Sequence, residues 1–217
     1  MSETFIYGEK EIDYLKKADP ALSAIIDEIG VIERRVNPDL FTSLINSIVS
    51  QQISTKAAVT VWSRVIDKFG VISPETLHNV SLEEIQQCGI SMRKANYIKD
   101  TATKVFTGDL NIKELYSLPD EEVIKKLCEL NGIGVWTAEM TLIFCMQRPN
   151  VMSWGDLGIQ RGLRMLHRHN KIDKKLFQKY KLRYSPYASI ASLYLWAIAG
   201  GACNLDDPAQ KSLKKTK

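Results

Sequence analysis

Leu130-Asn131-Gly132-Ile133-Gly134-Val135-Trp136-Thr137-Ala138 lies between two apolar-periodic runs, so residues 123 to 148 read as helix, tight turn, helix. Thr137 and Ala138 fall just inside the second helix. Two glycines spaced two apart lack Cβ atoms, can adopt positive φ, and let a phosphate come close to the main chain. The N–H groups that open the following helix point outward at the favourable end of its dipole. A phosphate held by Gly132, Gly134 and Thr137 would be gripped through the nucleic-acid backbone, without regard to base sequence. By itself, a GxG between helices is most simply an αα turn.

Helical signals continue on both sides of this turn. Asn37-Pro38-Asp39 precedes the periodic set Leu40, Leu44, Ile45, Ile48 and Val49. A second helix from about Thr55 places Ala58, Val61, Trp62, Val65 and Phe69 on one face before Gly70 stops it. Ser81-Leu82-Glu83-Glu84 has capping-box spacing, with Gly89 closing the short helix, and Ser117-Leu118-Pro119-Asp120 is expected to open another in the same manner. No alternating run is long enough to make a sheet. The expectation is an all-α protein of two helical subdomains flanking a cleft. Residues 36–150 form one; residues 1–35 and 151–217 form the other, with Val151 to Trp154 as the irregular crossing. There is no internal repeat, low-complexity block or long Gly/Ser linker. The tail bearing Lys211, Lys214, Lys215 and Lys217 reads as a frayed, solvated end.

The 217 residues are 45% hydrophobic and 25% charged, which excludes a disordered chain and suits one good core or two small helical ones. The 29 Lys and Arg against 25 Asp and Glu leave a net charge of +4, which permits a polyanionic partner without demanding one. Cys88, Cys128, Cys145 and Cys203 lack CxxC spacing, so neither zinc nor an iron-sulfur cluster is suggested, and no organic cofactor is implied. The opening MSETFIYGEK has no apolar signal region. Ile190 to Cys203, the most apolar run, is interrupted by Ser192 and a glycine pair and is too short to span a bilayer. These features lead us to expect an intracellular monomer with no membrane role, in the cytoplasm and nucleoid, or in the nucleus of a eukaryote.

Downstream of the hairpin comes Val151-Met152-Ser153-Trp154-Gly155-Asp156-Leu157-Gly158-Ile159-Gln160-Arg161, with an acid at the first turn of a helix. An isolated Asp beside Gly is ordinarily an N-cap. The LxGhGxxTA hairpin followed by Asp156, however, resembles the helix-hairpin-helix (HhH-GPD) DNA glycosylase superfamily, over roughly residues 38 to 200. Three further segments carry the resemblance. Ile48 to Ser54 is similar to the Gln-containing stretch that probes the base stack, and Gly89-Ile90-Ser91-Met92-Arg93-Lys94-Ala95 matches a G-[IL]-S-x-R-K-A element. Tyr184-Ser185-Pro186-Tyr187-Ala188-Ser189 with Tyr194-Leu195-Trp196 is similar to a helix of the 3-methyladenine DNA glycosylase II branch.

The resemblance implies base excision from double-stranded DNA containing a damaged, alkylated purine. Asp156 would be the catalytic carboxylate. Gln52, or its neighbour Gln51, would fill the gap left by the extruded nucleotide, and Trp136, Tyr187 and Trp62 would line the base pocket. Trp136 stands where strand-cutting members place a lysine, so no Schiff base can form there and water must be the nucleophile. Main-chain oxygens of Cys128, Leu130 and Ile133 occupy positions that in some members hold a sodium or potassium ion. Asn131 replaces a common proline, which implies a looser turn; Ala188 stands in place of an arginine, and Met140 in place of an aromatic ring. The chain is too short for the extra N-terminal β-rich domain of longer members. Two other functions stay open: a glycosylase for deaminated or mismatched bases, and a non-enzymatic helix-hairpin-helix module that only holds DNA.

Overall fold

Backbone order in the computed structural model, which describes residues 3–209, is almost wholly helical. The chain passes through α1 (Glu9–Ala18), α2 (Pro20–Ile29), α3 (Leu40–Ser50), α4 (Thr55–Phe69), α5 (Pro74–Asn79), α6 (Leu82–Gln86) and α7 (Met92–Thr107). It continues with α8 (Ile112–Leu115), α9 (Asp120–Cys128), α10 (Val135–Phe144), α11 (Leu157–His167), α12 (Lys174–Tyr184) and α13 (Ala188–Ala199). The all-α expectation holds. Among the described residues the one departure is a pair of two-residue strands, β1 (Glu3–Thr4) antiparallel to β2 (Arg35–Val36), too short to leave an alternating pattern in the sequence. The lysine-rich tail lies outside the described residues.

Two compact units are present: Met1–Val36 with Gln147–Lys217, and Asn37–Met146. In the second, Asp39 caps α3 by accepting the Thr42 N–H at 2.9 Å, and the helix buries Leu44, Ile45 and Ile48 completely. Each such side chain contributes about 1.5–3 kcal/mol of burial free energy. The apolar stripe of α4 is less buried than its periodicity suggests: Val65 is in the core, while Ala58, Val61, Trp62 and Phe69 are half-buried. The Ser81 capping box forms as expected, with both reciprocal bonds made. The α9 start differs. Pro119 is the N-cap residue, its carbonyl accepts the Val123 N–H at 3.0 Å, and Asp120, Glu121 and Glu122 complement the helix dipole. Ser117 sits too far upstream to cap α9, and its hydroxyl instead donates to the Glu114 carbonyl at the end of α8.

In the first unit, α11 packs along α13 through glycines one turn apart. A Cβ on Gly162 would stand 2.3 Å from the Leu195 carbonyl oxygen, so only glycine fits this approach. Nearby, the buried Asp19 caps α2 and also bonds Arg183 at 2.9 Å, Tyr184 Oη at 2.9 Å and His167 Nε2 at 3.3 Å. Burial alone would raise the Asp19 pKa, but the bonds from His167, Arg183 and Tyr184 win and hold it far below the usual carboxylate range.

Candidate active site

The hairpin is built as its sequence suggests, but its two glycines do different things. Gly132 takes φ of 86°, and a Cβ there would meet the Tyr97 ring at 2.6 Å, so both backbone conformation and packing require glycine. The positive φ expected of Gly134 does not occur: its φ is −98° with ψ of 174°, an extended N-cap any residue could adopt. Gly134 borders open space, since nothing lies within 4 Å of where its Cβ would be. The first turn of α10, whose N–H groups lie at the positive end of the helix dipole, follows directly and includes the half-buried Thr137. The looseness expected from Asn131 is countered by ties. Asn131 Nδ2 donates to Asp100 Oδ2 at 3.1 Å, and Gln51 Nε2 donates to the Gly132 carbonyl at 2.6 Å.

Gln51 and Gln52 thus part company. The Gln51 amide is turned to the hairpin, whereas the adjacent Gln52 is exposed and held at φ of 55°. Trp136, in the first turn of α10, is 50% exposed. Trp62 is half-buried and lines a shallow hollow with Asn46, Ser50, Ile53, Thr55 and Val59. In this unit the structure joins two of the expected site residues, Gln51 and Gly132, by a direct hydrogen bond.

In the other unit, Asp156 is the N-cap of α11 and 7% exposed. Its Oδ1 accepts the Ile159 N–H at 2.9 Å and the Trp196 Nε1–H at 3.0 Å. Both donors complement a carboxylate at the positive end of a helix dipole. The segment before it is moored by buried Ser189, whose hydroxyl donates to the Arg148 carbonyl at 2.6 Å and accepts the Val151 N–H at 2.8 Å. Gly158 leaves room for the indole: its Cβ would be 2.9 Å from Trp196 Cδ1 and 3.1 Å from Asp156 Oδ1. Tyr187 is half-buried, with its ring edge-on to Tyr14 at 5.2 Å. Ala188 is buried at the start of α13, and Met140 is half-buried on α10.

Sequence reasoning gave no role to Trp196, Ser189 or Gly158 beside the carboxylate, nor to Tyr97 under the hairpin. Trp196 and Ser189 stand in a quoted motif, but a separation of 40 residues between Asp156 and Trp196 carries no periodic signal.

A helical fold with a glycine hairpin and a capped, buried Asp defines a class, and the chain belongs to the HhH-GPD superfamily of base excision DNA repair proteins, whose family model matches residues 45–186. It is 37% identical over 161 residues to DNA-3-methyladenine glycosylase 1 of Schizosaccharomyces pombe, covering 72% of this chain and 71% of that protein. Among solved structures it is similar to a DNA-3-methyladenine glycosidase from Bacillus halodurans, with a TM-score of 0.85 and 35% identity over 98% of this chain and 99% of that one. It is also similar to the 3-methyladenine DNA glycosylase Mag1 of S. pombe in complex with abasic DNA, with a TM-score of 0.74 and 30% identity over 90% of this chain and 98% of that one.

Proposed function

We propose that this chain is a monofunctional DNA glycosylase that hydrolyses the N-glycosidic bond of alkylated, 3-methyladenine-type purines in duplex DNA, a step of base excision repair. The observation that carries the reading is Asp156: a buried carboxylate with two N–H donors on one oxygen, opening a helix in a chain whose relatives are named for this activity. A base inside a duplex is out of reach, so the nucleotide must be rotated out, at a cost of a few kcal/mol that is lowest for weakly paired bases. Gln52 is the side chain that enters the gap. As the C1′–N bond breaks, its electron pair leaves with the base, which in an alkylated purine is already cationic and departs neutral. Positive charge then builds on the sugar, and Asp156 stabilises it electrostatically. Water adds to C1′ and its proton passes to the Asp156 carboxylate, leaving free base and an abasic site.

Trp136 supports both halves of the reading. It offers an electron-poor ring a stacking face, about 1–2 kcal/mol of cation–π attraction when desolvated, and it supplies no amine for strand cleavage. Tyr187 and Trp62 are the other aromatic candidates for the base pocket. The hairpin of Gly132, Gly134 and Thr137 takes a phosphate of the DNA. A sodium or potassium ion fits the oxygen chemistry of the same turn. The carbonyls of Cys128, Leu130 and Ile133 are neutral hard donors, and the Leu130 oxygen, which accepts the Ile133 N–H at 3.1 Å, has a second lone pair. Such an ion would add positive charge beside the phosphate. The chain acts as a monomer, in the compartment that holds the genome.

The test is incubation of duplexes containing an alkylated purine, hypoxanthine, ethenoadenine or a G·T pair with the wild type and Asp156→Asn, followed by analysis with and without alkali. Base release from the alkylated duplex, breaks only after alkali and severe loss in the variant are expected. Breaks without alkali would overturn the monofunctional assignment. Release from only the deaminated or mismatched duplexes would move the substrate, and binding without any release would leave a DNA-holding module.

A further inference from the structure

Between the Gln51–Gln52 turn and the hairpin runs a chain of hydrogen bonds that the mechanism above does not use. Lys94, on the first turn of α7, is half-buried and sends its ammonium to the carbonyl oxygens of Val49 at 2.8 Å and Gln51 at 2.5 Å. These lie at the C-terminal end of α3, where the helix dipole is negative and the last carbonyls need donors. Burial, followed by the neighbouring Arg93, pushes the Lys94 pKa down, so the two carbonyls offset a real desolvation cost. From Gln51 the chain continues through its side-chain amide to the Gly132 carbonyl at 2.6 Å. Gly132 in turn rests on Tyr97, a second α7 residue one helical turn beyond Lys94. The next residue, Gln52, sits at φ of 55°, a conformation that a side chain with a Cβ holds only when its surroundings impose it.

We infer that Lys94 is a positioning residue for base extrusion: by fastening the Val49 and Gln51 carbonyls, with Gln51 fastened to Gly132, it makes the Gln52 turn and the phosphate-gripping hairpin one rigid piece. This rests on the reading of Gln52 as the inserted side chain. Two consequences follow. The hairpin's hold on the strand sets the depth at which Gln52 enters the stack, so wedging needs no separate conformational step. Gln51, although equal to Gln52 in chemistry and adjacent in sequence, is the tether and not the wedge. The Lys94 ammonium donates to the protein's own carbonyls, so its hydrogen bonds act on the geometry of the turn.

A tether for the wedge matters only where there is pairing to break. Single-turnover base release is therefore measured with the alkylated purine opposite its normal partner and, separately, opposite an abasic site, for the wild type, Lys94→Met and Gln51→Ala. Thermal unfolding is recorded for each. For Lys94→Met, which keeps the stem and removes the ammonium, release from the paired duplex is expected to slow by roughly 10- to 100-fold, the scale for losing hydrogen bonds to a charged group. Release opposite the abasic site should stay near the wild-type rate. Gln51→Ala should show the same pairing dependence to a smaller degree, and it carries the test if Lys94→Met fails to fold. Equal slowing on both duplexes would mark a merely structural role and overturn the inference, as would no slowing on either. A wild type that releases no base from any duplex would defeat the glycosylase reading itself, an outcome distinct from these.

Discussion

Gly158→Ala should separate activity from stability. The new Cβ would stand 2.9 Å from Trp196 Cδ1 and 3.1 Å from Asp156 Oδ1, against an ordinary carbon contact of about 3.5–4.0 Å. The indole must retreat by roughly half an ångström or more, and the Trp196 Nε1 bond to Asp156, now 3.0 Å, stretches beyond useful length. A hydrogen bond to a charged group is worth about 1.5–3 kcal/mol. At about 1.4 kcal/mol per decade, a carboxylate that loses this anchor should release base roughly 10- to 150-fold more slowly. The lost bond also lowers stability, but alanine regains up to about 1 kcal/mol of helix propensity, so the loss of Tm should be smaller than the loss of rate implies. Gly162→Ala, one turn further on, is the control. Its Cβ would meet the Leu195 backbone oxygen at 2.3 Å, an atom that cannot rotate away, and overpacking of this kind costs about 1–3 kcal/mol. It should be seen chiefly as a lowered Tm. Thermal unfolding and single-turnover release from an alkylated-purine duplex are the two assays. A Gly158→Ala enzyme working at the wild-type rate would refute the view that the α11–α13 contact aims Asp156.

Other outcomes are expected from the same geometry. Asp156→Asn keeps a side-chain oxygen for the Ile159 N–H, so its Tm should stay close to wild type while release falls by about 10²–10⁴-fold; an active variant would relocate the chemistry. Gly132→Ala forces both a left-handed alanine and a clash with Tyr97, and it should cost about 1–3 kcal/mol and weaken binding to undamaged duplex, read by Tm and a fluorescence titration. For Asp19 the folded pKa lies below the unfolded value of about 3.9. Its stabilisation is therefore complete above about pH 4 and is lost as pH falls below that. Asp19→Asn should lower Tm most near neutrality and least near pH 2, and a deficit that does not shrink in acid would contradict the assignment.

Local chemistry made much of this protein legible. The Asp39 and Ser81 caps, the Gly70 stop and the hairpin helices rest on interactions within a few residues, and each was readable as a spacing. The motifs carried the family reading, which holds. What escaped reading depends on neighbours distant in sequence. Nothing near Ser117 shows that Pro119 would take the cap, and nothing beside Gly134 shows that it would be extended where Gly132 takes positive φ. Two adjacent glutamines are indistinguishable until one is seen to reach a carbonyl 81 residues away. The half-buried face of α4 looked like core because periodicity reports which side is apolar and not how much of it is covered. Trp196 and Lys94 were quoted within motifs, yet a motif names residues without naming their partners.

Because Asp156 closes the start of α11 and, on the proposed reading, also carries the reacting charge, the acid has almost no freedom to drift. Glutamate would carry its oxygens one methylene farther out and release the Ile159 N–H, loosening the first turn of the helix; serine would preserve the closure and discard the charge. Asparagine alone keeps shape, length and closure together, so it is the replacement with which an intact lesion could be caught on the protein before the bond breaks.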